Sequence, residues 1–81
     1  MKVNCYQTEF FAFCPLNNIR IKYQLKIETE SMLDVADLID EVTLCTRGLH
    51  EDLADDLFKS FGGKQTLTAF HHGVLIETVR S

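Results

Sequence analysis

The sequence contains little of what several specialised classes of protein require. It has no tryptophan, one proline and four glycines in 81 residues, which argues against a collagen-like or low-complexity chain. No apolar run approaches the roughly 18 residues that cross a membrane, so we expect no membrane partner. The opening segment MKVNCYQTEF carries charges and amides where a secretory signal would be apolar, and secretion is not expected.

Paired cysteines and an excess of basic residues are also lacking. Cys5, Cys14 and Cys45 are odd in number and form no CxxC pair, so we expect no disulfide framework and no closed zinc site, and the reducing cytoplasm fits best. Eight Lys and Arg residues stand against twelve Asp and Glu, which gives a net charge of −4. Proteins that bind nucleic acid mainly through its phosphates carry a net positive charge, and nucleic acid is therefore not the expected partner.

What remains is the composition of an ordinary folded domain, with 46% hydrophobic and 25% charged residues. A chain this short supports one core, so we assign residues 1–81 to a single domain. Such a chain buries only about 60–65% of its unfolded surface, and small domains usually need disulfides, bound metal ions or partner subunits for stability. With disulfides and metal not expected, we predict that the chain forms a homo-oligomer.

Alternation of apolar and polar residues predicts two β-hairpins. From Ile19 to Glu28 the alternation is unbroken, which is typical of a strand with one buried face. Residues 2–14 are rich in aromatic and β-type residues, and PLNN at 15–18 suits a tight connection. The strand pattern returns over residues 64–80, with His-Gly at 72–73 as its turn.

Two helices are predicted between the hairpins. Ser31 is placed to cap the first helix, with Asp34 at the capping-box distance, and Gly48 closes that segment. The second helix is predicted from about residue 49 to residue 61, and the two glycines at 62–63 end it. The order β-β-α-α-β-β predicts an α+β fold with a four-stranded antiparallel sheet and both helices on one face.

Cys14 is the first residue that could carry chemistry. It lies in the triplet Phe-Cys-Pro at the end of the first predicted strand. A thiol beside a turn can be accessible, and cysteine is a strong nucleophile near neutral pH once its thiolate forms. The alternative is a small buried apolar residue, which is what most free cysteines are.

A second candidate group is His50-Glu51-Asp52, which opens the second predicted helix. A carboxylate there is favoured by the helix dipole, and if it points into a pocket it can accept two parallel N–H bonds from a ligand. The alternative is simple helix-end electrostatics.

His71 and His72 could bind a metal, but adjacent strand residues point to opposite faces, so we predict no metal site.

These motifs resemble those of the tunnelling-fold (T-fold) superfamily. Phe-Cys-Pro after a strand, the alternating second strand and GLHEDLADDLF at the second helix are most similar to the QueF group, over roughly residues 10–80. That group contains the nitrile reductase acting on the 7-deazaguanine preQ0 and the QueF-like amidinotransferase of archaeosine synthesis. The resemblance implies an oligomeric barrel with pockets between subunits and a small heterocyclic ligand.

The resemblance also implies roles for three residues. Cys14 matches the nucleophile that adds to the nitrile carbon of preQ0 to form a thioimide. Glu51 matches the carboxylate that binds the 2-amino and ring N–H edge of the deazaguanine, and His50 matches the neighbouring pocket histidine. A thiolate suits an electrophilic nitrile carbon, and a bidentate carboxylate suits a guanine-like edge.

Two departures from the family pattern bear on activity. Ile21 stands where the family has an Asp that protonates the nitrile nitrogen, and the segment ETESMLDVADL lacks the lysines of the NADPH motif. NADPH is therefore not expected, and no other cofactor is evident. Three hypotheses stay open: an enzyme of deazaguanine or pterin type, a non-catalytic oligomeric binding module with a vestigial site, and a purely structural oligomer.

Overall fold

The computed structural model describes residues 2–81 and has the element order that the sequence predicts. The elements are β1 (Asn4–Phe13), β2 (Arg20–Thr29), α1 (Val35–Leu44), α2 (His50–Phe61), β3 (Lys64–His71) and β4 (Val74–Arg80). The four strands form one antiparallel sheet in the order β1-β2-β3-β4. The predicted α+β fold with a β-β-α-α-β-β order is confirmed.

The core lies between the helices and one face of the sheet. Alternation in β2 turns Ile21, Tyr23, Leu25 and Ile27 toward the helices, and these four side chains are almost fully buried. The helices contribute four large apolar side chains to this layer: Leu38, Val42, Leu53 and Leu57. The other face of the sheet, here called the open face, carries the even-numbered residues of β2 and β3 and the odd-numbered residues of β1 and β4. No helix of the described residues covers that face.

The first helix begins at a different residue from the one predicted. Asp34 is its N-cap, and its Oδ1 accepts bonds from the backbone N–H groups of Ala36 at 2.8 Å and Asp37 at 3.4 Å. The prediction that Ser31 caps the helix is wrong. Asn4 donates a hydrogen bond from Nδ2 to the Ser31 carbonyl at 3.1 Å, and this contact with β1 holds residue 31 in the connection before the helix.

The segment 46–48 fastens the connection between the helices to the sheet. The helix α1 ends at Leu44, earlier than the predicted closure at Gly48. The backbone N–H of Phe13 then donates to the Thr46 carbonyl at 2.9 Å, and the N–H of Gly48 donates to the Phe13 carbonyl at 3.1 Å. The result is a single parallel bridge between Phe13 and Arg47. We call residues 46–48 the strap, because they tie the beginning of α2 to the end of β1.

The second hairpin turns through the two residues predicted for it. His72 has φ 53° and Gly73 has φ 81°, and positive φ at both central residues is the conformation of a type I′ turn. A two-residue turn makes the flanking His71 and Val74 a hydrogen-bonded pair, so the backbone groups of residues 75, 77 and 79 point away from β3. No helix within residues 2–81 is long and apolar enough to span a membrane.

Candidate functional site

The strap brings the two predicted parts of the site to one end of the sheet. Cys14 is one residue beyond the bridged Phe13, and His50 is two residues beyond Gly48, the last residue of the strap. Both strap hydrogen bonds join backbone groups. The end of β1, which carries Cys14, and the first turn of α2, which carries His50 and Glu51, are therefore neighbours in the fold.

Cys14 is buried within the chain, with 3% of its surface exposed. Its backbone N–H donates to the Ile19 carbonyl at 2.9 Å, and its carbonyl accepts from the N–H of Asn18 at 2.7 Å. The side chain belongs to the core, on the same face as Tyr23. Burial raises the pKa of the Tyr23 phenol above its usual value, and the nearby Cys14 adds to that shift.

His50 is half-buried in the first turn of α2. Its Nε2 lies 3.1 Å from the Leu67 carbonyl oxygen, so Nε2–H donates and Nδ1 is the acceptor in the neutral ring. Its ring centroid lies 5.4 Å from that of Tyr23. Burial lowers the pKa of His50, against the opposing effects of the Leu67 hydrogen bond and the Glu51 charge. The imidazole is therefore neutral at pH 7.

Glu51 is exposed next to His50. It belongs to the first turn of α2, where the unpaired N–H groups and the helix dipole favour a negative charge. Within residues 2–81 its carboxylate takes part in no ion pair. Both oxygens are therefore open to an incoming ligand.

Ile21 belongs to the same core cluster as Cys14, whereas Glu77 lies on the opposite face of the sheet. Ile21, at the position of the family's general acid, is a core residue with 5% of its surface exposed. Glu77 lies on the open face of β4, where it lines a groove with Glu9 and Lys26. Among the described residues no group of three or more His, Cys, Asp or Glu side chains could hold a metal ion.

Tyr23 is the member of the site that the sequence motifs do not reveal. It is stacked on Phe10, with ring centroids 5.2 Å apart, and it contacts His50 from the other side. The alternation of β2 could have identified it, because Tyr23 is the one residue of the buried stripe with a hydroxyl group. The Tyr23 ring therefore lies next to His50, and Cys14 is close enough to affect the pKa of its phenol.

The architecture is similar to that of a solved enzyme structure. A crystal structure of the archaeosine synthase QueF-Like in its apo form matches with a TM-score of 0.77, covering 96% of this chain and 90% of that chain at 19% sequence identity. The chain has a QueF-like tunnelling fold. The sequence matches no protein-family model, and no curated protein matches it at a significant level. The structural similarity therefore shows the fold of this chain.

Proposed function

We propose that copies of this chain assemble side by side and bind a flat heterocycle of 7-deazaguanine, purine or pterin type in a cleft between subunits. The observation that supports this proposal is the strap, because its backbone bonds join Phe13, which precedes Cys14, to the segment that leads into His50 and Glu51. The same elements bear the corresponding residues in the QueF group that the motifs resemble. The ligand class comes from that resemblance and from the chemistry of the carboxylate.

Glu51 is the residue that recognises the ligand in this proposal. A guanine-like edge presents two N–H groups side by side, and an ionised carboxylate with both oxygens free can accept both. Glu51 is exposed and takes part in no ion pair in the described part of the chain. The neutral His50 beside it adds an aromatic surface and the Nδ1 acceptor without bringing a competing positive charge.

The exposed apolar surface supports a cleft that is completed by another subunit. β1 and β4 are the two edges of the sheet, and edge strands present backbone groups that can pair with a second chain. Large apolar side chains are exposed on the two edge strands and on α1, and they include Phe11, Phe13, Val79, Val35 and Ile39. A small domain with this much exposed apolar surface is expected to associate.

Cys14 is the candidate nucleophile of the enzymatic alternative. In that reaction Sγ would add to the nitrile carbon of preQ0 while the thiol proton passes to the nitrile nitrogen, giving a thioimide. The burial of Cys14 and the apolar Ile21 at the acid position favour non-covalent binding over this step. We therefore place binding first, with no cofactor required.

Titration calorimetry with preQ0, guanine and a pterin tests the proposal. Glu51→Gln replaces one acceptor oxygen by an amide donor, and we expect it to weaken binding at least about tenfold, as for loss of a charge-assisted hydrogen bond. Asp52→Asn is the matched control, since Asp52 is also exposed in the first turn of α2, and it should change the Kd less than about twofold. Equal heats for the natural protein and Glu51→Gln would remove Glu51 as the anchor.

A further inference from the structure

The two hairpins separate before they reach their tips. The ladder between β2 and β3 ends at the pair Tyr23 and Ala69. The outer ladders continue further in the same direction, to Arg20 in the first hairpin and to His71 in the second. A slot therefore opens in the middle of the sheet where strands β2 and β3 no longer pair.

This slot is a defined cavity of about 330 Å³, a size in the range of small-molecule sites. A hydrogen bond joins the two hairpin tips, in which Asn17 Nδ2 donates to His72 Nε2 at 2.9 Å, and His72 lines the cavity. Because that nitrogen of His72 accepts, the neutral ring carries its proton at Nδ1, which remains a free donor. We call this cavity the tip pocket.

The walls of the tip pocket are apolar. Ile19, Phe70 and Leu75 line it, and all three side chains are substantially exposed. Phe70 and Leu75 are a cross-strand pair on the open face of the second hairpin, and Ile19 belongs to the first hairpin, so each hairpin contributes apolar lining. Exposed apolar walls of this kind gain free energy when a flat apolar group fills the space between them.

The polar lining of the tip pocket is cationic or hydrogen-bond donating, and no Asp or Glu lines it. This contrasts with the net charge of −4 for the chain. Lys22 lines the pocket but its Nζ is paired with Glu9 at 2.8 Å. The guanidinium of Arg20 lies 3.9 Å above the ring of Phe11, a cation–π contact that positions the group without neutralising its charge. Arg20 and the donor on His72 are therefore available to an anion.

We infer that the tip pocket binds a small organic anion with a planar apolar body, such as an aryl phosphate or carboxylate. The apolar walls take the planar body, and Arg20 takes the anionic group through its fork of N–H donors. Cys14, His50 and Glu51 do not line this cavity. The inference therefore goes beyond the proposed function and does not depend on it.

Naphthyl phosphate is a suitable probe because its fluorescence reports binding and its parts can be tested separately. We expect it to bind with a micromolar to millimolar Kd, and we expect naphthol and inorganic phosphate each to bind at least about tenfold more weakly. Equal binding of naphthol would show a merely apolar patch and would overturn the inference. Failure of naphthyl phosphate to bind at millimolar concentration would also overturn it.

Matched variants locate the bound probe. Arg20→Gln should weaken binding at least about tenfold through loss of the charged donor. Lys26→Gln is its control, because Lys26 is on the same face of β2 but outside the tip pocket, and it should leave the Kd within about twofold. An equal loss in both variants would indicate a general charge effect and contradict the assignment.

Leu75→Ser tests the apolar wall of the tip pocket, and Val79→Ser is its control. The two residues lie on the same face of β4 and are 52% and 50% exposed, but only Leu75 lines the cavity. We expect Leu75→Ser alone to weaken the binding of naphthyl phosphate. Glu51→Gln should leave this binding unchanged, so the failure of one site can be told from the failure of the other. If binding of naphthyl phosphate is lost in Glu51→Gln but retained in Arg20→Gln and Leu75→Ser, the probe binds at the Glu51 site. That result would refute the inference.

Discussion

Cys14 and Glu51 sit in opposite environments although both carry functional groups. Cys14 continues the buried face of β1, two residues after Ala12 and four after Phe10. Its burial could be predicted from the two-residue period of a strand. The exposure of Glu51 agrees with its place in the first turn of α2, outside the buried residues Leu53, Ala54 and Leu57. The joining of the end of β1 to the segment before α2 could not be predicted, because it depends on a tertiary contact.

The buried thiol leads to a prediction about covalent chemistry. We expect intact-mass spectrometry after incubation with preQ0 to show no adduct, because the sulfur is inaccessible and Ile21 cannot supply the proton. An adduct that disappears in Cys14→Ala and persists in Cys45→Ala would contradict this expectation. That result would establish Cys14 as a nucleophile and favour the enzymatic alternative.

The lowered pKa of His50 predicts a dependence of stability on pH. Because the folded-state pKa lies below the ordinary value of 6.5, the unfolded chain takes up this proton first as the pH falls. The contribution of neutral His50 is complete above about pH 7 and is lost as the pH falls through 6.5 and then through the lowered pKa. Denaturant unfolding at several pH values should show this loss.

His50→Gln keeps a side-chain N–H near the Leu67 carbonyl but does not titrate. We expect the free energy of unfolding of this variant to change less between about pH 7 and pH 5 than that of the natural protein. His72→Gln is the control, since His72 is exposed at a hairpin tip. An unchanged pH dependence in His50→Gln would show that another group is responsible.

At the level of elements, local sequence patterns were sufficient to predict the strands and helices but not the residues at which they begin and end. The alternation in β2 and the apolar stripe of α2 each determine which face is buried. The beginning of α1 was misplaced because Ser31 and Asp34 are both good capping residues. The contact from Asn4 to residue 31 decides between them, and it joins parts of the chain 27 residues apart.

The corrected cap gives a direct test. Asp34→Ala removes the acceptor of two backbone N–H groups of α1, and we expect it to lower the free energy of unfolding by about 0.5–2 kcal/mol. Ser31→Ala should have an effect within about 0.5 kcal/mol, because only backbone groups of Ser31 form hydrogen bonds here. A larger cost for Ser31→Ala in denaturant unfolding would restore the original prediction.

The strap is the element that sequence patterns could not reveal. A single parallel bridge has no alternation of its own, and the connection between the helices is too short to show one. The association of Cys14 with the first turn of α2 was therefore expected only from the resemblance to the QueF group. The tip pocket was equally hidden, because it results from the end of one ladder and not from a motif.

At the level of the whole molecule, the open edges of the sheet predict an assembly. We expect light scattering to give a mass several times the 9.3 kDa of one chain, because β1 and β4 can pair between copies and cover exposed apolar side chains. A mass of one chain across a range of concentrations would exclude the inter-subunit cleft.

Glu77→Pro tests edge pairing directly. The N–H of Glu77 points away from β3, so proline there removes an outward donor and keeps the inner ladder. We expect this variant to lose the assembly, whereas Glu77→Ala, which keeps the N–H, should remain assembled. Circular dichroism of both variants would confirm that the strands persist. An assembled Glu77→Pro variant would place the contact elsewhere.

The two hydrogen bonds of the strap join main-chain atoms alone, so they do not involve the side chains of Thr46 and Arg47, whereas a Cβ at Gly48 would lie 2.9 Å from Leu53 Cδ2. Thr46 and Arg47 are exposed, and neither side chain takes part in the bridge to Phe13. Reactive side chains of the site can therefore be substituted without removing the backbone hydrogen bonds of the strap. This chain and the archaeosine synthase QueF-Like have similar folds at only 19% sequence identity.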